Sequence, residues 1–408
     1  MSGGVDSSLA AFLLSEFGSV GKEKGFEVIG ITLKLWDYSE VGGDLYQDGR
    51  CCSLSAMNDA RNICQKIGAP HYVLNFTDEF KQKVISNFVN EYKKGRTPNP
   101  CIVCNTEIKW KLLWNKAKKL GAEYLSTGHY ARIKYSEEKK RFLLLKGVDV
   151  QKDQSYALWG LSQENLSKTL FPLGELTKNQ VRDLAKEYNL KIAFKEESQE
   201  ICFVPDDDYP RFLKEWVLKT KAGQNNAGSG EIFNQMEPGP IYDLKKKKLG
   251  EHKGIAFYTI GQRRGLNIAL GKPTYVVKID PEENAIYAGE NNDLFKTTFI
   301  VSQLNWISIP ELKDRLNCLV KIRYLYTPAK ATILPYSEEE TRRSSMSAGL
   351  LDKKNVNHPT GWLTYKSCDE KVKVIFEKPE RAITPGQSAV FYEGEKVIGG
   401  GIIKHVED

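Results

Sequence analysis

The chain has 408 residues, which is longer than one ordinary hydrophobic core and predicts two or three domains. A hydrophobic content of 41% and a charged content of 27% are typical of a soluble globular protein, and the absence of any run of about 18 apolar residues argues against a membrane span. The net charge of +7 is compatible with a nucleic-acid partner, although lysine-rich solvated faces give the same total.

The first stretch with a chemical signature is the opening, MSGGVDSSLAAFLL. Gly3 and Gly4 can take backbone angles closed to other residues, and Asp6, Ser7 and Ser8 are residue types that begin helices. An apolar helical face follows directly. Because free N–H groups and the helix dipole both favour an anion, the stretch predicts a phosphate-binding turn; an ordinary capped first helix is the alternative.

Strand and helix patterns alternate through the first half of the chain. FEVIGITLKLW (26–36), HYVLNF (71–76) and EYLST (123–127) predict strands, and the segments between them have apolar residues at helical spacing. TKNQVRDLAKEYNL begins with a capping box, Thr177 with Gln180, and predicts the last helix of this region. The alternation predicts a parallel α/β sheet, which binds ligands at the carboxyl ends of its strands.

The pattern changes after about residue 205. A Gly/Asn-rich stretch (221–240) predicts a loop or linker, and from residue 274 onward short alternating runs predict hairpins of a small antiparallel barrel. Residues 337–361 are polar and aperiodic, which predicts a disordered insertion.

The eight cysteines are the next chemical signal, and with no recognisable signal peptide a disulfide framework is not expected. In GRTPNPCIVCNTEIKW, Cys101 and Cys104 lie at a predicted helix start, where the dipole lowers the pKa of a thiol. A C-x-x-C pair can be half a zinc site, a redox pair, or one nucleophile beside an incidental cysteine. Zinc is disfavoured because the chain lacks a second ligand pair at the usual spacing.

Three further segments contain candidate residues with plainer alternatives. Cys202 lies in an apolar triplet between acidic clusters, where a buried strand cysteine is the simpler interpretation. Lys152, Asp153 and Gln154 lie either in a solvated turn or against nucleic acid. LGEHKGIAFYTIGQRRGL is basic, aromatic and glycine-rich, which suits RNA but is a weak signal alone.

Taken together, these stretches resemble one family, the tRNA 2-thiouridylases of the bacterial type and their mitochondrial counterpart. SGGVDSS, RTPNPCIVCNTEIKW, STGHYARI, KDQSYAL, SQEICFVP, LGEHKGIAFYTIGQRRGL, KIRY and PGQSAVFYEGEKVIGGG occur in the family's order over nearly the whole chain. SGGVDSS is shared by many pyrophosphatase-loop enzymes, whereas PNPxxxCN with SQxICF is much more specific.

The resemblance implies an α/β fold with three parts. Residues 1–205 would form a parallel-sheet ATP-pyrophosphatase domain of the adenine nucleotide alpha hydrolase type. Residues 206–272 would form a small central tRNA-binding domain, and residues 273–408 a C-terminal antiparallel β-barrel with the insertion at about 337–368.

The resemblance also implies a reaction. ATP, accompanied by Mg²⁺, would be cleaved to AMP and pyrophosphate while the C2 oxygen of a tRNA wobble uridine is adenylated. Cys202 would carry a persulfide sulfur delivered by a sulfur-relay protein or cysteine desulfurase. Cys104 would attack that persulfide to release sulfur onto the base, or resolve Cys202 as a disulfide, and the product would be 2-thiouridine.

The family's functional positions carry over motif by motif. Contacts to ATP are implied for Ser2, Gly3, Gly4, Val5, Asp6, Ser7, Ser8, Leu33 and Gly128. Contacts to the flipped target base or to the rest of the tRNA are implied for Asn99, Pro100, Cys101, His129, Lys152, Asp153, Gln154, Arg323, Tyr324 and Gln387. The tRNAs would be the lysine, glutamate and glutamine acceptors; no metal site built from protein side chains and no membrane partner are expected.

Three departures from the family pattern qualify these expectations. Met1 stands where a first hydrophobic strand of the family ends, so we expect either a start further upstream or an impaired product. Cys101 replaces an Asp of many members, so no general-base role is expected for it. The insertion at 337–368 has no known function.

Two other functions remain compatible with the sequence. One is a different ATP-pyrophosphatase, such as an amide-forming ligase, which would not need Cys104 and Cys202. The other is an RNA-binding protein without catalysis. The insertion, the linker and the lysine content favour a mitochondrial location, and a bacterial member would be cytoplasmic.

Overall fold

The computed structural model describes residues 1–17, 25–37, 53–195, 201–204, 206–222, 236–268, 271–336 and 370–407. The predicted disordered insertion at 337–368 lies outside the described residues, as do most of the Gly/Asn-rich linker and Cys51, Cys52 and Cys368.

Most of the described helices follow predicted segments, but Gln163–Ser167 and the 14-residue helix Tyr209–Ala222 were not predicted. They are α1 (Val5–Phe17), α2 (Leu54–Lys66), α3 (α-helical Thr77–Phe80, π-helical Lys81–Ile85, α-helical Ser86–Lys93), α4 (α-helical Pro100–Val103, π-helical Cys104–Leu113, α-helical Trp114–Lys119), α5 (Gln163–Ser167), α6 (Lys178–Glu187) and α7 (Tyr209–Ala222). The predicted capping box is confirmed at the start of α6, where the Thr177 hydroxyl accepts from the Gln180 N–H and the Gln180 carboxamide accepts from the Thr177 N–H.

The strands are β1 (Gly30–Lys34), β2 (His71–Asn75), β3 (Leu125–Ser126), β4 (Ala131–Ser136), β5 (Arg141–Lys146), β6 (Thr169–Leu170), β7 (Gly239–Tyr242), β8 (Lys248–His252), β9 (Tyr275–Asp280), β10 (Ala285–Gly289), β11 (Phe295–Trp306), β12 (Leu316–Lys321), β13 (Ala329–Tyr336), β14 (Lys371–Arg381), β15 (Ser388–Glu393) and β16 (Lys396–Val406).

The first half has the predicted α/β character with parallel strand pairs. β1 and β2 pair in parallel with Gly30 opposite His71, and β3 pairs in parallel with β6. The Met1 ammonium donates to the carbonyl of Ile31, so the opening residue lies beside β1. Parallel strands need a crossover connection, and α2 supplies it between β1 and β2.

The central part of the chain forms a four-stranded sheet in the order β8-β7-β10-β9. β7 and β8 precede residue 272, and β9 and β10 follow it, yet Ile241 of β7 pairs with Ile286 of β10. The predicted boundary at residue 272 is therefore wrong, because it divides one hydrogen-bonded sheet. The hairpin over 274–289 is confirmed, but it belongs to this central sheet rather than to the barrel.

The last third forms the predicted antiparallel barrel. Its strands run in the order β11-β14-β13-β12-β15-β16, and β11 also pairs with β16, which closes a six-stranded barrel. The hairpins β12–β13 and β15–β16 were both expected from the sequence. β5 pairs with β16, so the β4–β5 hairpin of the first half extends the barrel sheet.

Contacts between the first half and the barrel are extensive. Asn305 on β11 donates from its amide to the carbonyls of Trp159, at 2.6 Å, and Leu161, at 3.0 Å. The Trp159 ring is fully buried, and its indole N–H donates to the Ser388 hydroxyl at 3.0 Å. The barrel therefore packs against and stabilises the first half of the chain, which contains the predicted cysteine helix.

Within the described ranges, no helix has both the length and the apolar character needed to cross a lipid bilayer.

Candidate active site

The opening turn leads directly into α1, as predicted. Gly3 has a φ of +68°, and a Cβ there would lie 2.1 Å from the carbonyl oxygen of Ala56, so only glycine fits. The Ser2 N–H donates to the Ser7 hydroxyl at 3.1 Å, and that hydroxyl donates to the Gly4 carbonyl at 3.2 Å. The loop is thereby folded against the N-terminus of a 13-residue helix, the local geometry that favours an anion.

Ser8 offers a further polar atom at this turn. Its side chain is fully buried, and its hydroxyl has no hydrogen-bond partner among the described residues. Buried hydroxyls are nearly always hydrogen-bonded in native proteins. An orphaned hydroxyl in the first turns of α1 fits a loop that is completed by a phosphate.

The carboxylate of Asp6 is held by two groups that the sequence did not single out. The same oxygen, Oδ1, accepts from the Tyr130 hydroxyl at 2.7 Å and from the Lys178 ammonium at 2.7 Å. The Lys178 side chain is only 8% exposed and lies over the Tyr130 ring. The ion pair offsets the negative charge that Asp6 would otherwise present to a phosphate.

A second lysine flanks the turn from another side. Lys195 donates to Asp59 at 2.7 Å and reaches the Gly3 carbonyl at 3.4 Å. Sequence reasoning missed both lysines because a lone lysine is ordinarily a solvated residue. One weak signal was available for Lys178: a lysine in the first turn of a helix opposes the dipole and so needs a compensating anion.

The remaining predicted ATP contacts lie around the same turn. Gly128 packs so closely that a Cβ there would lie 2.7 Å from the Asp6 carbonyl carbon and 2.8 Å from the Ser7 nitrogen. Val5 begins α1, and Leu33 lies in β1, two residues beyond the Ile31 carbonyl that accepts from Met1. The structure therefore brings Gly128 onto the turn and places Leu33 on the neighbouring strand.

The predicted helix start at the C-x-x-C segment is confirmed. Pro100 is the first helical residue of α4, which suits a position whose N–H has no intrahelical partner. Cys101 is exposed and Cys104 is half-buried at the point where the helix becomes π-helical. Helix N-termini stabilise thiolates, and π-helical segments occur often at functional sites.

Cys202 does not have the strand setting that its apolar neighbours suggested. It lies in a short turn, where Phe203 and Val204 are buried and the cysteine itself remains half-buried. The Phe203 ring packs edge-on against Phe80 and Phe88 of α3. Cys104 and Cys202, 98 positions apart in the sequence (202 minus 104), pack against the same hydrophobic core.

The described cysteines fall into two chemical groups. Burial raises the pKa of the Cys64 thiol and raises that of Cys318 to about 12, which keeps both protonated and unreactive. Cys101 is exposed, and Cys104 and Cys202 are half-buried, as is Cys318, but Cys318 is set apart by its raised pKa. In the described part of the chain, no group of three or more His, Cys, Asp and Glu side chains is arranged to hold a metal.

Several residues predicted to touch tRNA have hydrogen bonds inside the protein. Asp153 is 7% exposed, and its carboxylate accepts from the Gly147 and Ser155 N–H groups at 3.1 Å each. The Gln154 side chain accepts from the Tyr130 N–H at 3.0 Å. These two side chains shape the turn beside Lys152, which is half-buried.

His129 lies between the Trp110 and Phe171 rings, and Nδ1 is 2.7 Å from the Thr127 hydroxyl. Desolvation, followed by the nearby Lys109 charge, holds the pKa of His129 well below its usual value. The imidazole is therefore neutral at physiological pH and cannot act as a cationic phosphate contact.

The remaining predicted tRNA contacts meet where the barrel touches the cysteine helix. The Gln387 amide donates to the carbonyls of Thr97 at 3.0 Å and Pro98 at 3.2 Å, directly before Asn99 and Pro100. Asn99 lies within hydrogen-bond reach of the Tyr156 hydroxyl, which donates to the Ser388 carbonyl at 3.0 Å.

Arg323 and Tyr324 follow β12 on the same side of the barrel. The Tyr324 ring, 37% exposed, lies 6.3 Å from the Tyr156 ring, and Lys321 is over both rings. The Arg323 guanidinium donates to the Arg381 carbonyl at 3.0 Å. An exposed ring beside two cations is a setting that suits base stacking and phosphate contact.

The described residues include a glycine turn that can bind an anion and, at the start of another helix, thiols that can react. Comparison with known proteins identifies the family of each part of the chain. Residues 1–206 match the family described as the tRNA methyl transferase HUP domain, residues 231–290 the tRNA methyl transferase PRC-barrel domain, and residues 361–403 the aminomethyltransferase beta-barrel domain.

Curated relatives match over essentially the full length. The tRNA-specific 2-thiouridylase MnmA of Acetivibrio thermocellus is 45% identical over 404 residues, covering 99% of this chain and 98% of the relative. The tRNA-specific 2-thiouridylase MnmA 1 of Caldanaerobacter subterraneus and the MnmA of Clostridioides difficile are each 44% identical, covering 99% of this chain and 96% of each relative. With a family match over half the chain and these identities, the chain belongs to the tRNA-specific 2-thiouridylase family.

Proposed function

We propose that this chain is an ATP-dependent tRNA 2-thiouridylase, which replaces the C2 oxygen of a wobble uridine with sulfur. The observation that carries the proposal is the presence, in one chain, of a glycine turn at a helix N-terminus and of two half-buried thiols, Cys104 and Cys202, that pack against one hydrophobic core. Full-length relatives at about 45% identity bear the name of this activity.

The glycine turn binds the phosphates of ATP in this proposal. The backbone N–H groups of the turn, the orphaned Ser8 hydroxyl and the flanking Lys178 and Lys195 form a cradle for them. The uridine C2 oxygen attacks the α-phosphorus, the bond to the β-phosphate oxygen breaks, and pyrophosphate leaves. The step converts the C2 oxygen, a poor leaving group, into part of a good leaving group, AMP.

Mg²⁺ accompanies ATP rather than occupying a protein cage. Mg²⁺ usually keeps several waters and binds substrate phosphates with one or two carboxylates, so it needs no cluster of protein ligands. Asp6, in the first turn of α1, is already paired with Lys178. The residues present therefore fit a metal held mainly by the triphosphate.

The cysteines perform the second half of the reaction. Cys202 receives a terminal sulfur from a donor protein and becomes a persulfide. The Cys104 thiolate attacks the inner sulfur, the Cys104–Cys202 disulfide forms, and hydrosulfide leaves toward C2 of the adenylated base, where it displaces AMP. In the alternative order, the terminal sulfur attacks C2 first, and Cys104 then releases the thiolated base by forming the same disulfide. Either order consumes two thiols, so a reductant must restore them after each turnover.

Transfer RNA is the macromolecular substrate. Asn99, Pro100 and Cys101 lie at the helix start that faces the target base in this proposal. Arg323, Tyr324 and Lys152 contact the rest of the tRNA, whereas the internal hydrogen bonds of Asp153 and Gln154 favour a shaping role for those two. The lysine, glutamate and glutamine tRNAs, and a relay protein or desulfurase as sulfur donor, remain part of the proposal.

The domain limits and location also belong to the proposal. We place the first boundary near residue 206 and the second after Gly289, where the central sheet ends. The relatives named above are bacterial, which gives the mitochondrial expectation no support and favours a bacterial-type setting.

The test is a coupled assay with ATP, Mg²⁺, a persulfide sulfur donor and unmodified tRNA. We expect pyrophosphate and AMP to form only with tRNA that has a wobble uridine, and not when cytidine stands at that position. A tRNA-independent pyrophosphatase would point to another ATP-pyrophosphatase, and tRNA binding without pyrophosphate would point to an RNA-binding protein.

A further inference from the structure

The turn that precedes the cysteine helix depends on hydrogen bonds from other parts of the protein. Thr97-Pro98-Asn99-Pro100 contains two prolines, which have no N–H to donate, and each proline forces the residue before it into an extended conformation. Pro98 and Pro100 are buried. Buried backbone carbonyls in such a turn need donors from elsewhere in the protein.

The barrel supplies those donors through the turn that precedes β15, Pro385–Ser388. The Gln387 amide nitrogen donates to Thr97 O at 3.0 Å and to Pro98 O at 3.2 Å. In return, the Pro385 carbonyl accepts from the Thr97 N–H at 2.9 Å. The two turns are thus joined by three hydrogen bonds, although they lie almost 300 residues apart.

The contact is also close in a steric sense. Gly386 has a φ of +92°, and a Cβ there would lie 2.8 Å from the Thr97 carbonyl oxygen and 2.9 Å from its nitrogen. Only glycine allows the barrel turn to approach the backbone of residue 97. The Gln387 backbone is fixed as well, because its carbonyl accepts from the Ile403 N–H at 2.9 Å.

We propose that Gln387 is a positioning residue that holds the 97–100 turn and thereby sets where the cysteine helix begins. Both hydrogens of its amide are used by the Thr97 and Pro98 carbonyls, so the amide has none left to donate to an RNA phosphate. The role of Gln387 in catalysis rests on the proposed function, because it acts through Cys101 and Cys104. It assigns an internal task to both amide hydrogens of Gln387, so the tRNA contact that the family resemblance implies would have to come from another atom of this residue.

The test compares Gln387→Met, which keeps the length of the side chain but removes both donors, with Tyr324→Leu, which removes an exposed ring on the tRNA-facing side. For Gln387→Met we expect kcat for 2-thiouridine formation to fall about 10- to 100-fold, the cost of a misplaced reactive group, with KM for tRNA unchanged. Tyr324→Leu should raise KM for tRNA instead. Gln387→Lys, which restores a donor of greater reach, should recover part of kcat.

A second readout needs neither tRNA nor activity. Hydrogen exchange of the peptide spanning residues 97–110 should quicken about 3- to 10-fold in free Gln387→Met, since two hydrogen bonds that fix its start are lost. Exchange elsewhere in the barrel should not change. If wild type makes no 2-thiouridine and exchange still quickens, the proposed function fails while the anchoring of the turn stands.

Two results would overturn the proposal. One is a raised KM for tRNA with unaltered kcat and exchange, which would make Gln387 an RNA contact. The other is a variant with wild-type kcat, KM and exchange, which would leave the two hydrogen bonds without consequence.

Discussion

At the scale of single residues, Cys104 and Cys202 carry out the proposed sulfur transfer, whereas the desolvated thiols Cys64 and Cys318 take no part in it. Both candidates are half-buried, and Cys318, although also half-buried, is desolvated enough that its pKa is raised to about 12. Because the nucleophile and the persulfide carrier form one disulfide in the proposed cycle, neither thiol can replace the other.

We therefore expect Cys104→Ser and Cys202→Ser each to lower 2-thiouridine formation by at least about 10³-fold, as for other covalent nucleophiles. Both variants should still bind tRNA and ATP. Cys318→Ala is the matched control and should keep the wild-type rate. Retention of 2-thiouridine formation by either serine variant would contradict the proposed disulfide cycle.

Lys178 gives a second prediction at this scale. Lys178→Met removes a 2.7 Å ion pair and leaves the Asp6 carboxylate facing incoming phosphates. Hydrogen bonds to charged groups contribute about 1.5–3 kcal/mol, so ATP-dependent pyrophosphate formation should fall about 10- to 100-fold. Lys186→Met, which removes an exposed lysine later in α6, is the control and should change the rate less than about twofold.

At the scale of elements, local sequence signals predicted local structure well. The capping box of α6 and the three hairpins could be predicted because each depends on neighbouring residues. The π-helical Cys104–Leu113 could not, because no residue pattern in that segment separates i→i+5 bonding from an ordinary helix.

The central sheet provides the pH prediction. His252 at the end of β8 is buried, its Nδ1 accepts from the Gly254 N–H at 3.0 Å, and its Nε2 donates to the Asn284 carbonyl at 2.9 Å. Desolvation lowers the pKa of His252, so the folded protein binds its proton less readily than the unfolded chain. The contribution of neutral His252 to the free energy of unfolding is thus fully present above the unfolded-state pKa of about 6.5. It is lost progressively as the pH falls below that value.

As the pH falls below that value, the free energy of unfolding should decrease through this one group. The measurement is denaturant unfolding of wild type and His252→Gln at several pH values. His252→Gln should be less stable at neutral pH but should show a shallower acid dependence. Equal slopes for both proteins would show that His252 does not govern this range.

At the scale of the whole molecule, the barrel and the first half act as one structural unit in this account. The Asn305 amide satisfies two carbonyls of the first half, at Trp159 and Leu161, and the β4–β5 hairpin joins the barrel sheet through β16. These long-range contacts could not be predicted, since residues such as Asn305 and Gln387 have no local signature of a partner more than 140 positions away.

We expect Asn305→Ala to lower the free energy of unfolding by about 1–3 kcal/mol, because two carbonyls lose their donor. Asn317→Ala, at the one exposed position of β12, should change the free energy of unfolding by less than about 0.5 kcal/mol. Denaturant unfolding followed by tryptophan fluorescence measures both. Equal effects of the two variants would mean that the hydrogen bonds from Asn305 to the first half of the chain add no stability.

The central claim, that two thiols pass sulfur to an ATP-activated wobble uridine, is tested most directly by isotope tracing. Purified protein loaded with heavy-sulfur persulfide would be mixed with ATP, Mg²⁺ and unmodified tRNA, and the digested nucleosides analysed by mass spectrometry. The account predicts heavy 2-thiouridine together with a Cys104–Cys202 disulfide, each dependent on ATP. Heavy 2-thiouridine formed without that disulfide, or no thiolated nucleoside while ATP is cleaved, would contradict it.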